Sequence, residues 1–217
     1  MPVHGRMILT GIATSGNSIA LTQKPASGGV QSLVLNGSAV SGGVATFALP
    51  VGVTITSSGN ESALTFTIVG TNYLGIPQSE TVTGPNTATV QSVLYYLTVT
   101  SVTVSGNTAG NITVGNNGTA SPWFPMNYNR YPMSSQVCDL SPGAVLTYTV
   151  QFTGDDLQAA RNASATAVAQ NHTTLTLQTL NNTGILIAGV GGVRIVLNGW
   201  TSGSVTMNII QSSATSG

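Results

Sequence analysis

The feature that most limits what this chain can fold into is a two-residue alternation of apolar and small polar side chains that recurs along much of its length. Leu64, Phe66 and Ile68 alternate with Thr65 and Thr67; Val193, Ile195 and Leu197 repeat the pattern, as do Val205, Met207 and Ile209. Successive side chains of a strand point to opposite faces, so each run sets an apolar face on a core and a hydroxyl-rich face outward. Around Val99 the alternation slips by one residue before Val102 and Val104 resume it, which predicts a bulge or short bend near Thr100-Ser101. Turn signals recur at Ser57-Ser58-Gly59-Asn60, Gly84-Pro85-Asn86, Ser105-Gly106-Asn107, Asn116-Asn117-Gly118 and Asn181-Asn182-Thr183-Gly184. The Gly-bearing stretch from Asn198 to Gly203 reads as a hairpin joining the last two strands. The expected fold is all-β: an antiparallel β-sandwich, jelly-roll-like, in two β-rich halves with at most one short helix.

That one helix would lie between Asp155 and Gln170, where alanine is frequent and Asp155 or Asp156 stands at a capping position; an ordered loop fits the segment equally well. Residues 1–30 read as an N-terminal arm or edge segment, 31–120 as the first β-rich half and 136–217 as the second. Between the halves, residues 121–135 hold three prolines with Trp123, Phe124, Tyr128 and Tyr131, and form a crossing or a long loop.

Charge is scarce. Five Lys and Arg face five Asp and Glu, 5% of the chain, where an ordinary domain carries about 25%. A folded surface on the order of 9,000 Å² bearing ten charges and no net charge lacks the repulsion that keeps free proteins apart. Much of it is therefore expected to be covered in an obligate homo-oligomer. Disorder is excluded by the 41% of apolar residues and their regular alternation. A neutral chain offers no electrostatic basis for binding nucleic acid or an anionic membrane, and no apolar run nears the roughly 20 residues that span a bilayer. No apolar leader follows the N-terminus, so sequons such as Asn60, Asn111 and Asn171 read as products of composition.

Residues with chemistry to offer are few and dispersed. Cys138 stands alone, expected as a buried thiol with no base beside it. Asp155-Asp156 and His172 are more simply a helix cap and a surface histidine than a metal site, and His4 falls in a terminus expected to be mobile. Glu61 and Glu80 flank turns, where a lone charge is ordinarily solvated. No serine elbow or phosphate-cradling loop is present. The expectation is no enzyme, no catalytic or metal-binding residue and no cofactor. Large aromatics remain: Trp123, Phe124, Tyr128, Tyr131 and Trp200 are candidates for core or subunit-interface anchors, with a sugar-stacking platform as the alternative.

Several stretches, taken in order, resemble a family of tailed-bacteriophage virion proteins. They begin with Leu33-Val-Leu-Asn-Gly, Ser41-Gly-Gly-Val-Ala-Thr and Val53-Thr-Ile-Thr-Ser-Ser-Gly-Asn leading into Thr65-Phe-Thr-Ile. Ser79-Glu-Thr-Val-Thr-Gly-Pro-Asn, Thr98-Val-Thr-Ser-Val-Thr-Val-Ser, Val114-Gly and Ser121-Pro-Trp-Phe-Pro follow. Tyr148-Thr-Val-Gln-Phe-Thr-Gly-Asp-Asp, Val193-Arg-Ile and Thr201-Ser-Gly-Ser-Val-Thr-Met-Asn-Ile-Ile-Gln close the series, while Leu157 to Val168 departs from it. The resemblance implies a structural protein of the virion and carries no catalytic residues. The expected role is a capsid decoration (cement) protein on the capsid surface. Its partners would be the major capsid protein and copies of itself, by analogy as a trimer. A head–tail connector, collar or tail ring component is the alternative, and a host-glycan-binding or fibre-anchoring module is a third from another class.

Overall fold

A computed structural model describes residues 3–126, 133–157, 167–187 and 189–211. The described chain is built from strands, paired antiparallel throughout, and it divides into two compact units. One is continuous, Ile12–Thr119; the other is split, Met1–Gly11 with Ala120–Gly217. In chain order the strands are β1 (Val3–Thr10), β2 (Ser15–Gln23), β3 (Gln31–Ser32), β4 (Val40–Ser41), β5 (Val44–Ser57), β6 (Thr65–Thr71), β7 (Pro77–Thr83) and β8 (Thr89–Val104). There follow β9 (Ile112–Ala120), β10 (Phe124–Pro125), β11 (Ser134–Leu140), β12 (Val145–Thr153), β13 (Gln170–Asn171), β14 (Asn182–Leu186), β15 (Gly192–Ser202) and β16 (Ser204–Gln211). The all-β, antiparallel, sandwich-like fold is the one that the two-residue alternation predicts.

In the continuous unit the strands run β2-β9-β5-β8-β6-β7, with β3 added to β8 and β4 to β5. Phe66 and Ile68 point inward from β6 and meet Ile19, Val53, Ile55, Tyr96, Val102 and Val104 in one core. Register shows how the slipped alternation is absorbed: Val69 pairs with Ser101 but Gly70 with Val99, so Thr100 bulges out and both Val99 and Val102 stay buried. The turn expected at Asn116-Asn117-Gly118 is not a turn. These residues continue β9, where Gly52 faces Asn117 and Val51 faces Thr119. Gly118, at φ 65°, is the extra residue of a second bulge.

Hydroxyls and amides fasten this unit where another protein would use ion pairs. Thr56 bonds Thr89 at 2.7 Å, Thr67 bonds Thr81 at 3.1 Å and Thr71 bonds Thr98 at 2.7 Å, each across neighbouring strands. The Gln23 amide acts as a short piece of strand, accepting from the Val34 N–H and donating to the Val34 carbonyl.

The split unit holds two sheets. One runs β1-β16-β11-β14; in the other β15 lies between β12 and β10, and β13 pairs with β12. Leu9, Cys138, Val205, Met207 and Ile209 are buried in the first sheet, and Tyr148, Val150, Ile195 and Leu197 in the second. Residues 1–30 thus contribute a sheet-edge strand, β1, to the split unit and β2 to the continuous one, and His4 lies within β1. Asn182 to Gly184, read as turn, already belong to β14. The helix considered between Asp155 and Gln170 falls largely on residues 158–166, outside the described residues.

The hairpin expected between Asn198 and Gly203 is instead a corner. β15 continues through it, pairing Trp200 with Leu146 and Ser202 with Val145, and β16 pairs with β1 and β11 of the other sheet. Only Gly203, at φ 83°, redirects the chain. A Cβ there would lie 2.5 Å from the Ala144 Cβ and 2.7 Å from its Cα. Gly203→Ala is expected to cost about 1–2 kcal/mol from the left-handed backbone alone, with the collision adding to it. A urea midpoint equal to that of the parent protein would contradict this account of the corner.

Candidate functional site

The aromatic candidates are engaged within the split unit. Trp123, just before β10, is only 8% exposed, and the Arg194 guanidinium lies 4.5 Å from its ring centroid. Arg194 also donates from Nε to Gln151 Oε1 at 2.9 Å, so a cation on β15 is held between a ring face and an amide. Phe124 pairs with Val193 and fills the space over Gly5, where a Cβ would fall 2.3 Å from Cζ of the ring. Half-buried Trp200 does the same over Gly11, where a Cβ would fall 2.3 Å from Cγ, and its Nε1 donates to the Gly203 carbonyl at 2.8 Å. Gly5 within β1 and Gly11 just after it are therefore sockets for rings from elsewhere in the unit, a role their spacing in sequence does not announce. Tyr128 and Tyr131 lie outside the described residues.

Neither glutamate is a freely solvated turn charge. Glu61 is 1% exposed. Its Oε1 accepts from Ser57 Oγ and the Gly110 N–H, both at 2.8 Å, and its Oε2 accepts from the Ala109 N–H at 2.9 Å. Burial by itself would raise the pKa of this carboxyl; the Gly110, Ala109 and Ser57 donors, with the Lys24 charge, outweigh it and hold the group below its ordinary range. The Glu61 N–H donates to the Pro85 carbonyl, so one residue ties together three turns far apart in sequence. Gly59 and Gly110 meet back to back beside it, a Cβ on Gly110 falling 2.1 Å from the Gly59 nitrogen. Glu80 on β7 accepts from the Val93 and Leu94 N–H groups at 2.8 and 2.9 Å, one to each oxygen. Both carboxylates are acceptors for backbone amides on other segments, which a pass along the chain does not reveal.

His172 is likewise not a surface residue; it is 1% exposed. Its Nδ1 accepts from the Thr174 N–H at 3.1 Å and the Leu175 N–H at 3.2 Å. Asp155 accepts from Thr153 Oγ1 and the Val168 N–H. Among the described residues, no three His, Cys, Asp or Glu side chains gather where a metal ion could be held. Cys138 is the buried thiol expected. Burial first, and then the Asp139 charge, push its pKa up to about 12 against the opposing Tyr148 hydrogen bond, so it is not a thiolate at neutral pH.

Exposed aliphatic side chains are more informative about what surrounds the protein. On the outer face of the β1-β16-β11-β14 sheet, Ile8 is 57% and Ile185 58% exposed, and Ile187 just beyond β14 is 76% exposed. Ile210, Ser135 and Ile185 lie in one cross-strand row, next to the row of Asn208, Val137 and Thr183. Ile210, Ile185 and Val137 thus share one sheet face around one small hydroxyl. In the continuous unit, Val34 and Val93 are also well exposed. No family model matches the chain, and no curated protein matches it.

Proposed function

We propose that this protein is a non-catalytic structural subunit of a tailed-bacteriophage virion, and that it decorates the capsid as a cement between shell subunits. The observation that carries the reading is the surface: nearly free of net charge, rich in hydroxyls and amides, with aliphatic side chains exposed on a sheet face. Such a surface is suited to being covered by neighbours. The resemblance of the ordered Thr/Ser/Gly-rich fragments to tailed-phage virion proteins supports it, as does the use of Glu61, Glu80, Arg194 and His172 as internal fasteners. The mechanism would be mass action: a subunit that binds only the assembled shell stabilises that shell against pressure from within.

Because few ions are available to pair, attachment should depend weakly on salt, since screening acts on charges. The test is the amount of this chain relative to the major capsid protein in purified particles, with the temperature of DNA release measured with and without it. Hundreds of copies, and earlier DNA release in their absence, are expected. A single ring of copies and an unchanged release temperature would sink the cement reading and favour a connector or tail ring component. Copies in small multiples of three would favour the fibre-anchoring role.

A further inference from the structure

We infer that His172 is a proton-sensitive clasp that closes the edge of β12 opposite β15 only while its imidazole is neutral. The inference is independent of the virion role.

That edge is not covered by a regular strand. β13 pairs with β12 only at Gln151 and Phe152. Beyond it, the His172 N–H donates to the Val150 carbonyl at 2.9 Å, while the Val150 N–H donates to the Leu175 carbonyl at 2.7 Å. One β12 residue thus spans His172 and Leu175, and Thr173-Thr174 are forced out as a loop. Past the loop, Gln178 exchanges two hydrogen bonds with Tyr148, and Leu177 donates to Thr149 Oγ1 at 3.0 Å, so the cover runs on to residue 178.

The imidazole holds the loop. Its Nδ1 faces two backbone N–H donors, of Thr174 and Leu175, and the Thr174 hydroxyl at 3.1 Å. Backbone amides only donate, so Nδ1 must be the bare nitrogen and Nε2 the protonated one. A second proton has to go to Nδ1 and would turn it against both donors. The ring packs on Gly184, where a Cβ would fall 2.5 Å from Cε1 and 2.7 Å from Nε2, and is blocked on that side. Burial pushes the imidazole pKa below its ordinary value, with the Ile185 backbone opposing.

Few titratable groups lie on the elements around it. β12 carries Tyr148, β11 carries Cys138 and Asp139, β13 and β14 carry none, and Asp155 and Asp156 follow β12. Burial, first among the causes, pushes both Tyr148 and Cys138 upward, so neither changes charge below neutral pH.

The sign follows from linkage. The opened loop takes up a proton below about pH 6.5 and the closed loop does not, so closure is favoured above that pH and lost progressively below it. Hydrogen exchange on the full chain between pH 8 and 5 reads this directly. After correction for the intrinsic rates, opening at the Val150, Thr174 and Leu175 amides should be flat above pH 6.5. It should rise towards tenfold per pH unit below. His172→Asn keeps a short acceptor for the loop amides but does not titrate, and should be flat throughout. Imidazole nitrogen shifts of the unmodified protein give a second readout that needs no variant: the Nε2-protonated neutral form should persist while the fold is native. A slope that survives in His172→Asn, or an imidazole that titrates near 6.5 in the native state, would overturn the inference.

Discussion

Replacing Glu61 by alanine is expected to destabilise the continuous unit by about 3 kcal/mol, because it strips three donors of their acceptor in a place water barely reaches. Glu61→Gln keeps the shape but turns an NH₂ group towards backbone N–H groups, and should lose about 2 kcal/mol. The carboxyl is held below its ordinary pKa of 4.5 in the folded state. Its contribution is therefore fully present above that value and fades as pH falls through the lower folded one. The parent protein should lose stability on acidification in that window, and Glu61→Ala should lose correspondingly less. Urea midpoints at pH 7 and pH 3 check both statements; a variant with the parent midpoint at pH 7 would show that the turns at Ser57, Pro85 and Gly110 hold without the carboxylate.

Trp123→Ala should have an effect of similar or greater size in the split unit, about 3–5 kcal/mol for a buried indole. The loss has two parts: a cavity beside β10, and an Arg194 guanidinium left without its ring. Trp123→Phe retains a ring face and should recover a substantial part of the loss. Hydrogen exchange resolved by residue tells whether the damage stays on β10, β12 and β15, as the contacts require. Unchanged protection there, together with weakened attachment to particles, would mean that Trp123 serves an interface and not the fold.

The repeating β-pattern is readable because a half-buried strand imposes a period of two. Even the bulge at Thr100 was visible, since an extra residue must shift every inward side chain after it. Asn116-Asn117-Gly118 misled because Gly at positive φ serves a bulge as well as a turn, and only the partner strand decides between them. The Asn198 to Gly203 corner misled for the same reason: a strand changing sheets needs only one left-handed residue, and Gly203 supplies it. In sequence, Glu61 and His172 read as exposed, because a carboxylate or an imidazole is seldom fully buried. Nothing local to Glu61 announces the Ala109 and Gly110 amides, 48 and 49 residues away. The His172 partners are adjacent in sequence, but an imidazole that caps its own turn has no distinctive pattern.

The pairing of β1 with β16 sets a timetable for synthesis. β1 is made long before the strand it pairs with, Val3 lying opposite Gln211 and Thr10 opposite Ser204. The whole continuous unit emerges between them and can fold while the ribosome is still working. At 5–20 residues per second, the opening strand waits roughly 10–40 s for the strand that completes it. During that interval Leu9, destined for the interior, has no sheet to join, and an identical waiting strand on a neighbouring nascent chain is a competitor for the same partner. Late, long-range closure of this kind is slow. It makes exchange of the first strand between copies the characteristic way for this fold to go wrong, or to become intertwined.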